Sequence, residues 1–234
     1  MLGIVIPAHN EQDYIGACLS AIHAAARSPR LKGEAVEVMV VLDCCTDDTE
    51  RIASHHGASV LRVQHRNVGA ARSVGDEALL ARGARWLAFT DADTRVTPDW
   101  LAEQLSLGAD AVCGTVAVDD WSPHTDYAER LREHFSRTYF DVENHRHIHG
   151  ANLGVSAEAY RRAGGVRHLA CSEDVAFVQS LQDCGAHIAW SAKPRVVTSA
   201  RREGRAAGGF ADTLLDVVAK GRAAAAGRPA AAAA

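Results

Sequence analysis

Apolar positions along this chain alternate between two rhythms: short unbroken runs, and stretches with an apolar residue every three or four positions. Leu2–Ile6, Val36–Leu42, Ala58–Val63, residues 86–90 and Asp110–Val118 are of the first kind, and their aliphatic, β-branched content predicts buried strands. Val36–Leu42 is almost uninterrupted, as a central strand covered on both faces requires. Between the runs, Ile15, Leu19 and Ile22 share one helical face. Further helices are expected over 46–56 and 67–82, with another opening at 97. Thr46, Asn67 and Thr97 are the expected N-caps. Pro98 takes a first helical position, and Asp47, Asp48 and Asp99 complement the helix dipoles. Alternating strands and helices predict an α/β fold with a mostly parallel central sheet flanked by helices.

The pattern changes from about Asp119 to His149. Leu131, Phe135, Thr138 and Val142 form a helical stripe, and Trp121, His124, Tyr127, Tyr139 and the alternating His145, His147 and His149 add polar-aromatic groups. Ser172 is then expected to cap a helix with Phe177, Leu181 and Cys184 on one face. Short strands at 187–190 and 195–198, an Arg-rich turn and a helix from near Phe210 complete the pattern. No repeat or flexible linker divides the chain, so residues 1–220 read as one domain. Residues 221–234, mostly Ala, have too few large apolar groups to pack and read as a frayed or disordered tail.

Composition narrows the classes. With 234 residues, 47% apolar and 23% charged, the chain can bury a proper core. A formal net charge of −4 gives no reason to expect a nucleic-acid partner. No apolar run approaches the roughly 18 residues of a membrane helix, so no transmembrane segment is expected and the cytoplasm is the default location. Six cysteines without paired metal-ligand spacing read as reduced thiols.

The strongest chemical signal is Trp86-Leu-Ala-Phe-Thr-Asp-Ala-Asp-Thr94. Asp91 and Asp93 leave a buried strand one residue apart, with Ala92 small enough not to crowd them, a pair suited to a hard divalent cation carrying phosphate oxygens. Other candidates also follow strand ends, the edge at which open parallel sheets bind ligands. Pro7-Ala8-His9-Asn10-Glu11 follows the first strand, Asp43 ends the second, and Asn67–Arg72 opens a helix after the third. Asp43 can accept a nucleobase N–H or simply precede a helix; Arg72 can reach phosphate or base, or be a solvated charge. Ser172-Glu173-Asp174 places two carboxylates in a first helical turn. The dipole alone accounts for acids there, and the competing reading makes Asp174 a general base that substrate must desolvate. The three histidines fit an acceptor-lining or loop role better than a zinc site. Arg201 and Arg202 read equally as a pyrophosphate clamp or a basic surface turn.

Taken in order, Ile4-Val-Ile-Pro-Ala-His-Asn-Glu11, Val40-Val-Leu-Asp-Cys-Cys-Thr-Asp47, Asn67-Val-Gly-Ala-Ala-Arg72, Thr90-Asp-Ala-Asp93, Gly150-Ala-Asn-Leu-Gly154 and Ser172-Glu-Asp174 resemble the family 2 glycosyltransferases of GT-A fold. The resemblance implies one Rossmann-like GT-A domain, its nucleotide-binding part about 1–118 and its acceptor-binding part about 119–220. It implies that Pro7, Ala8, Glu11, Asp43 and Asn67 line the nucleoside pocket, with Arg72 near base or phosphates. Asp91 and Ala92 would adjoin the ribose, and Asp93 with Asp91 would hold Mg²⁺ or Mn²⁺ on the diphosphate. Asp174 would be the base, with Glu173 shaping the acceptor site, and Trp121, His149 and Asn152 would contact the acceptor. The implied reaction is inverting transfer from a nucleotide-sugar donor to a hydroxylated acceptor. Asp43 suits uracil N3–H and so favours a UDP-sugar, although guanine also presents N–H donors.

The chain departs from the family pattern in two places. Leu42-Asp43 stands for an acidic pair and Cys44-Cys45 for small residues. The region where many such enzymes supply a metal-binding histidine reads Val197-Thr-Ser-Ala-Arg-Arg202, which makes Arg201 and Arg202 candidates for part of the charge neutralisation. A nucleotidyltransferase would carry a glycine-rich loop after its first strand, and a dinucleotide dehydrogenase a G-x-G-x-x-G; neither is present. A non-catalytic nucleotide-sugar binder is the remaining alternative.

Overall fold

Each of the five apolar runs forms a strand, and three further strands join them. In chain order they are β1 (Leu2–Ala8), β2 (Val36–Asp43), β3 (Ser59–Val63), β4 (Trp86–Phe89), β5 (Thr94–Val96), β6 (Ala111–Ala117), β7 (Leu153–Ser156) and β8 (Ile188–Thr198). The helices are α1 (Ile15–Ala26), α2 (Thr49–His55), α3 (Val68–Ala81), α4 (Trp100–Ser106), α5 (Ala128–Thr138), α6 (Ala157–Arg162), α7 (Glu173–Asp183) and α8 (Phe210–Ala226). This computed structural model describes residues 1–204 and 209–226. They separate into two compact units, Met1–Asp119 with Asp141–Ser199, and Asp120–Phe140 with the chain from Ala200.

The first unit holds one sheet in the order β3-β2-β1-β4-β7-β6-β8-β5. Strands β1 to β4 pair in parallel, as do β6 and β8, while β7 runs antiparallel between β4 and β6, and β5 antiparallel to β8. Val5, Met39, Val41, Leu87 and Phe89 share one apolar cluster with Leu79 of α3, Tyr160 of α6 and Phe177 of α7. The alternate residues Ile4, Ile6, Val38, Val40 and Ala88 are buried as well. Because successive strand side chains point to opposite faces, the sheet is covered on both sides, as the unbroken apolar runs required. The Phe177 ring meets Phe89 edge-on at 6.2 Å, which ties α7 to the strand that ends in the aspartates.

The antiparallel β7 positions the site. Its register pairs Phe89 with Leu153, so the residues leaving β4 and those entering β7 lie at one edge. Four residues that include Gly154 gave no readable strand pattern, and neither β7 nor β5 was expected. Residues 187–198 were expected as two strands but form one, interrupted only by a register shift opposite Cys113–Thr115.

Of the expected caps, Asn67 is correct: its Oδ1 accepts the Ala70 N–H at 2.9 Å. Thr46 and Thr97 are not caps, because α2 starts after Asp48 and α4 after Asp99. Ser172 precedes α7, but at φ +59° it makes no capping bond; a capping side chain normally sits on extended backbone.

In the second unit, Phe135 of α5 stacks on Tyr139 at 4.7 Å and meets Trp121 at 5.6 Å and Phe210 of α8 at 6.3 Å. Helix α8 runs to Ala226, as the high helix propensity of Ala allows. The rest of the expected tail lies outside the described residues. Among the described residues no helix is long and apolar enough to cross a membrane.

Candidate active site

The nucleoside-side candidates collect at the ends of β1 and β2. Ala8 closes β1 in the core, and Glu11 is buried with its N–H donating to Thr49 Oγ1 at 2.7 Å. Asp43 has a structural duty first. Its carboxylate accepts the backbone N–H groups of His65 at 2.8 Å and of Arg66 and Asn67 at 2.9 Å each. Burial works against its charge, but those amides outweigh it and hold the carboxyl below its ordinary value. A side-chain hydrogen bond from Cys44 adds to them. Cys45 takes up the departure from the family pattern: its thiol donates to Ala8 O at 3.3 Å and accepts the Asn10 N–H at 3.5 Å, linking the two strand ends.

The acid-rich part lies where β4 ends, β7 begins and α7 starts. Arg72, on α3, is 3% exposed and therefore not the solvated surface charge that was one of its two readings. Its Nη2 donates to Asp91 Oδ1 at 2.5 Å, its Nε donates to Glu173 Oε1 at 3.1 Å, and the guanidinium lies 5.9 Å from the Phe89 ring centre. Burial opposes the guanidinium charge, yet Asp91, Glu173 and Asp174 together raise its pKa above the ordinary value. Glu173 has moved the other way for an ion-pair partner. Burial pushes its carboxyl up, and Arg72 only partly offsets this. One cation shared among three acids explains both directions: the arginine is over-stabilised and the most buried acid under-compensated.

Asp174 is half-buried at the start of α7. Its Oδ2 accepts the Gly150 N–H at 2.7 Å and its Oδ1 the Val175 N–H at 2.8 Å. Gly150 lies close against the arginine: a Cβ there would sit 2.7 Å from Arg72 Nη2, so the guanidinium would have to shift. This contact was not foreseen, and the only signal was a glycine in a recurring motif. Beside it His149 is driven neutral, its pKa lowered to about 4 by burial and by His147 and His145 despite Asp91. A cavity of about 10 Å³, lined by Arg72, Phe89, Gly150, Glu173 and Asp174 among others, has room for about one water.

Asp91, Glu173 and Asp174 thus share Arg72, with His149 beside them uncharged. Asp91 and Asp93, two carboxylates one residue apart, are of a chemistry that could hold a hard divalent cation together with phosphate oxygens and water. Among the described residues no three histidine, cysteine or carboxylate groups cluster as a complete metal site. His145, His147 and His149 instead stack at 5.4 and 6.1 Å between successive rings.

Two residues expected at the acceptor are engaged within the fold. Asn152 is fully buried, with Oδ1 accepting Trp100 Nε1–H at 2.8 Å and Nδ2 donating to Thr115 O and Pro194 O at 2.7 Å each. Its hydrogen-bonding groups are spent joining α4, β6 and β8. Trp121 is buried in the aromatic cluster of the second unit, which also contains Arg201 and Arg202.

The sheet order, with helices covering both faces, is that of the GT-A fold. Residues 3–164 match Glycosyl transferase family 2, and the chain belongs to that family. It is 36% identical over 120 residues to the succinoglycan biosynthesis protein ExoO of Rhizobium meliloti (strain 1021), a match covering 50% of this chain and 32% of ExoO. The chain therefore aligns with about a third of that relative. Among solved structures, S. aureus TarS 1-349 in complex with UDP-GlcNAc superimposes with TM-score 0.64 at 15% identity, over 92% of this chain and 64% of that 1-349 chain. The mannosyltransferase PcManGT of Pyrobaculum calidifontis, in complex with GDP-Man and Mn²⁺, gives 0.60 at 19%, over 98% and 76%. At these identities both likenesses speak to the fold.

Proposed function

We propose that this enzyme transfers a sugar from a nucleoside diphosphate sugar, preferably a UDP-sugar, to an acceptor hydroxyl with inversion at the anomeric carbon. The observation that carries this reading is the Arg72 bridge, which ties donor-side Asp91 to Glu173, the neighbour of Asp174. Asp91 and Asp93 would hold Mg²⁺ or Mn²⁺, and the cation would supply positive charge against the departing diphosphate.

The chain's own residues perform the remaining tasks. Ala8, Glu11 and Asp43 shape the nucleoside pocket, with the Asp43 carboxylate and the amides it holds lying on the base side. Arg72 fixes Asp91 against Glu173, so the donor side and the base-bearing helix keep one spacing. The Gly150 and Val175 amides aim the Asp174 carboxylate, which takes the proton of the acceptor hydroxyl as its oxygen attacks. Acceptor binding would remove water from Asp174 and raise its basicity. Neutral His149 presents a hydrogen-bonding ring to the acceptor without adding charge.

Asp174→Asn should lower transfer by about 10²- to 10⁴-fold while leaving nucleoside diphosphate affinity nearly unchanged, and NMR of the product should show inverted anomeric configuration. Near-normal turnover in the variant, or retention in the product, would remove Asp174 from the role of base.

A further inference from the structure

Two loops of the first unit meet beside α7 and carry cations without any acid. Residues 64–69 read Gln-His-Arg-Asn-Val-Gly, and residues 166–171 read Val-Arg-His-Leu-Ala-Cys. They are pinned together by the Gly69 N–H donating to Leu169 O at 3.0 Å and by Asn67 Nδ2 donating to His168 O at 3.1 Å. The approach is so close that a Cβ on Gly69 would lie 2.3 Å from the Arg167 carbonyl oxygen. Arg66 and Arg167 therefore rise from adjoining backbone, and both are exposed.

Elsewhere in this unit exposed arginines mostly lie against carboxylates, as Arg85 does with Glu34 at 2.6 Å and Arg162 with Asp110 at 3.2 Å. Among the described residues Arg66 and Arg167 have no such partner. The one acid at hand, Asp43, is committed to the backbone amides of 65–67. Those bonds hold Arg66 at φ +48°, a left-handed conformation that is unfavourable for a non-glycine residue. Strain maintained under an exposed, unpaired cation points to a use for its side chain. Arg167 is also set by a tight turn, in which its carbonyl accepts the Leu169 N–H at 2.8 Å.

The second loop runs directly into Ser172-Glu173-Asp174, whereas the donor diphosphate belongs at the Asp91–Asp93 turn. Guanidinium groups match phosphate and carboxylate oxygens in planar, bidentate fashion. We propose that Arg66 and Arg167 together bind an anionic group of the acceptor, a phosphate or carboxylate, and so bring its hydroxyl to Asp174. This rests on the transfer reading above.

The test is calorimetric titration of inorganic phosphate, and separately of malonate, into the intact protein and its Arg66→Gln/Arg167→Gln variant, with EDTA at constant ionic strength. Both proteins are also titrated with UDP and GDP in Mn²⁺. The expected result is saturable binding of one anion by the native protein, weakened about tenfold or more in the variant, with nucleoside diphosphate affinity unchanged. Absence of saturable binding, or equal binding by both proteins, overturns the proposal. So does a matching loss of nucleoside diphosphate affinity in the variant, which would assign the arginines to the donor. Failure of the transfer reading looks different: neither protein would then bind UDP or GDP.

Discussion

Removing Arg72 while keeping its volume, as in Arg72→Met, strands acids that were built around one cation. Glu173 is 8% exposed at its side chain and loses its charge partner, whereas Asp91, at 38%, can recover solvent. Breaking a buried pair by deleting one partner costs about 3–5 kcal/mol, and most of that penalty should fall on Glu173. The contact with Phe89 adds on the order of 1 kcal/mol. Glu173→Gln alone leaves Arg72 with Asp91 and should cost roughly 1–2 kcal/mol. In the double variant the stranded charge is gone, so its loss should fall short of the sum of the single losses by about 1–3 kcal/mol. Urea unfolding of the four proteins at neutral pH, read at constant slope, gives the coupling directly. Losses additive within about 0.5 kcal/mol would show that Arg72 and Glu173 are not a unit, and the electrostatic account of the site would fail.

Gly150→Ala places a methyl 2.7 Å from Arg72 Nη2 and 3.4 Å from Glu173 Oε1; it should cost about 1–3 kcal/mol by overpacking and slow transfer by up to about 10²-fold by displacing Asp174, and unfolding with steady-state kinetics would check both. Asp76, fully buried on α3 beside Tyr160, has its pKa raised by burial to about 8. The native state then holds a proton that the unfolded chain has released, so stability should fall as pH rises from about 4 to about 8, by a few kcal/mol. Asp76→Asn should flatten that slope, and an unchanged slope in urea unfolding from pH 5 to 9 would refute the assignment.

The legible features were those that repeat locally. Val36–Leu42 announced a doubly covered strand, Asn67 a cap, and Asp91-Ala92-Asp93 a strand end with chemistry on it. What stayed hidden depends on partners distant in sequence. Arg72 looks like any arginine one turn into a helix, and only the folding of α7 against β4 turns it into the buried link between two acids. Asn152 sits in a motif beside the site, yet its side chain is consumed by three groups that the chain supplies from α4, β6 and β8. Asp76 gave no signal, because a single aspartate in a helix is ordinarily solvated. The antiparallel strand β7, four residues long and interrupted by Gly154, owes its existence to the edges of β4 and β6 rather than to its own pattern.

The most direct measurement is a thermal-shift panel of UDP-, GDP-, dTDP- and CDP-sugars, each with Mn²⁺ and with EDTA, on the native protein and on Asp93→Ala. A ligand that binds only the folded state raises the melting temperature. The account predicts a shift with one nucleotide family, UDP foremost, that needs the metal and disappears in Asp93→Ala. No shift with any donor, or a metal-dependent shift undiminished in the variant, would contradict it.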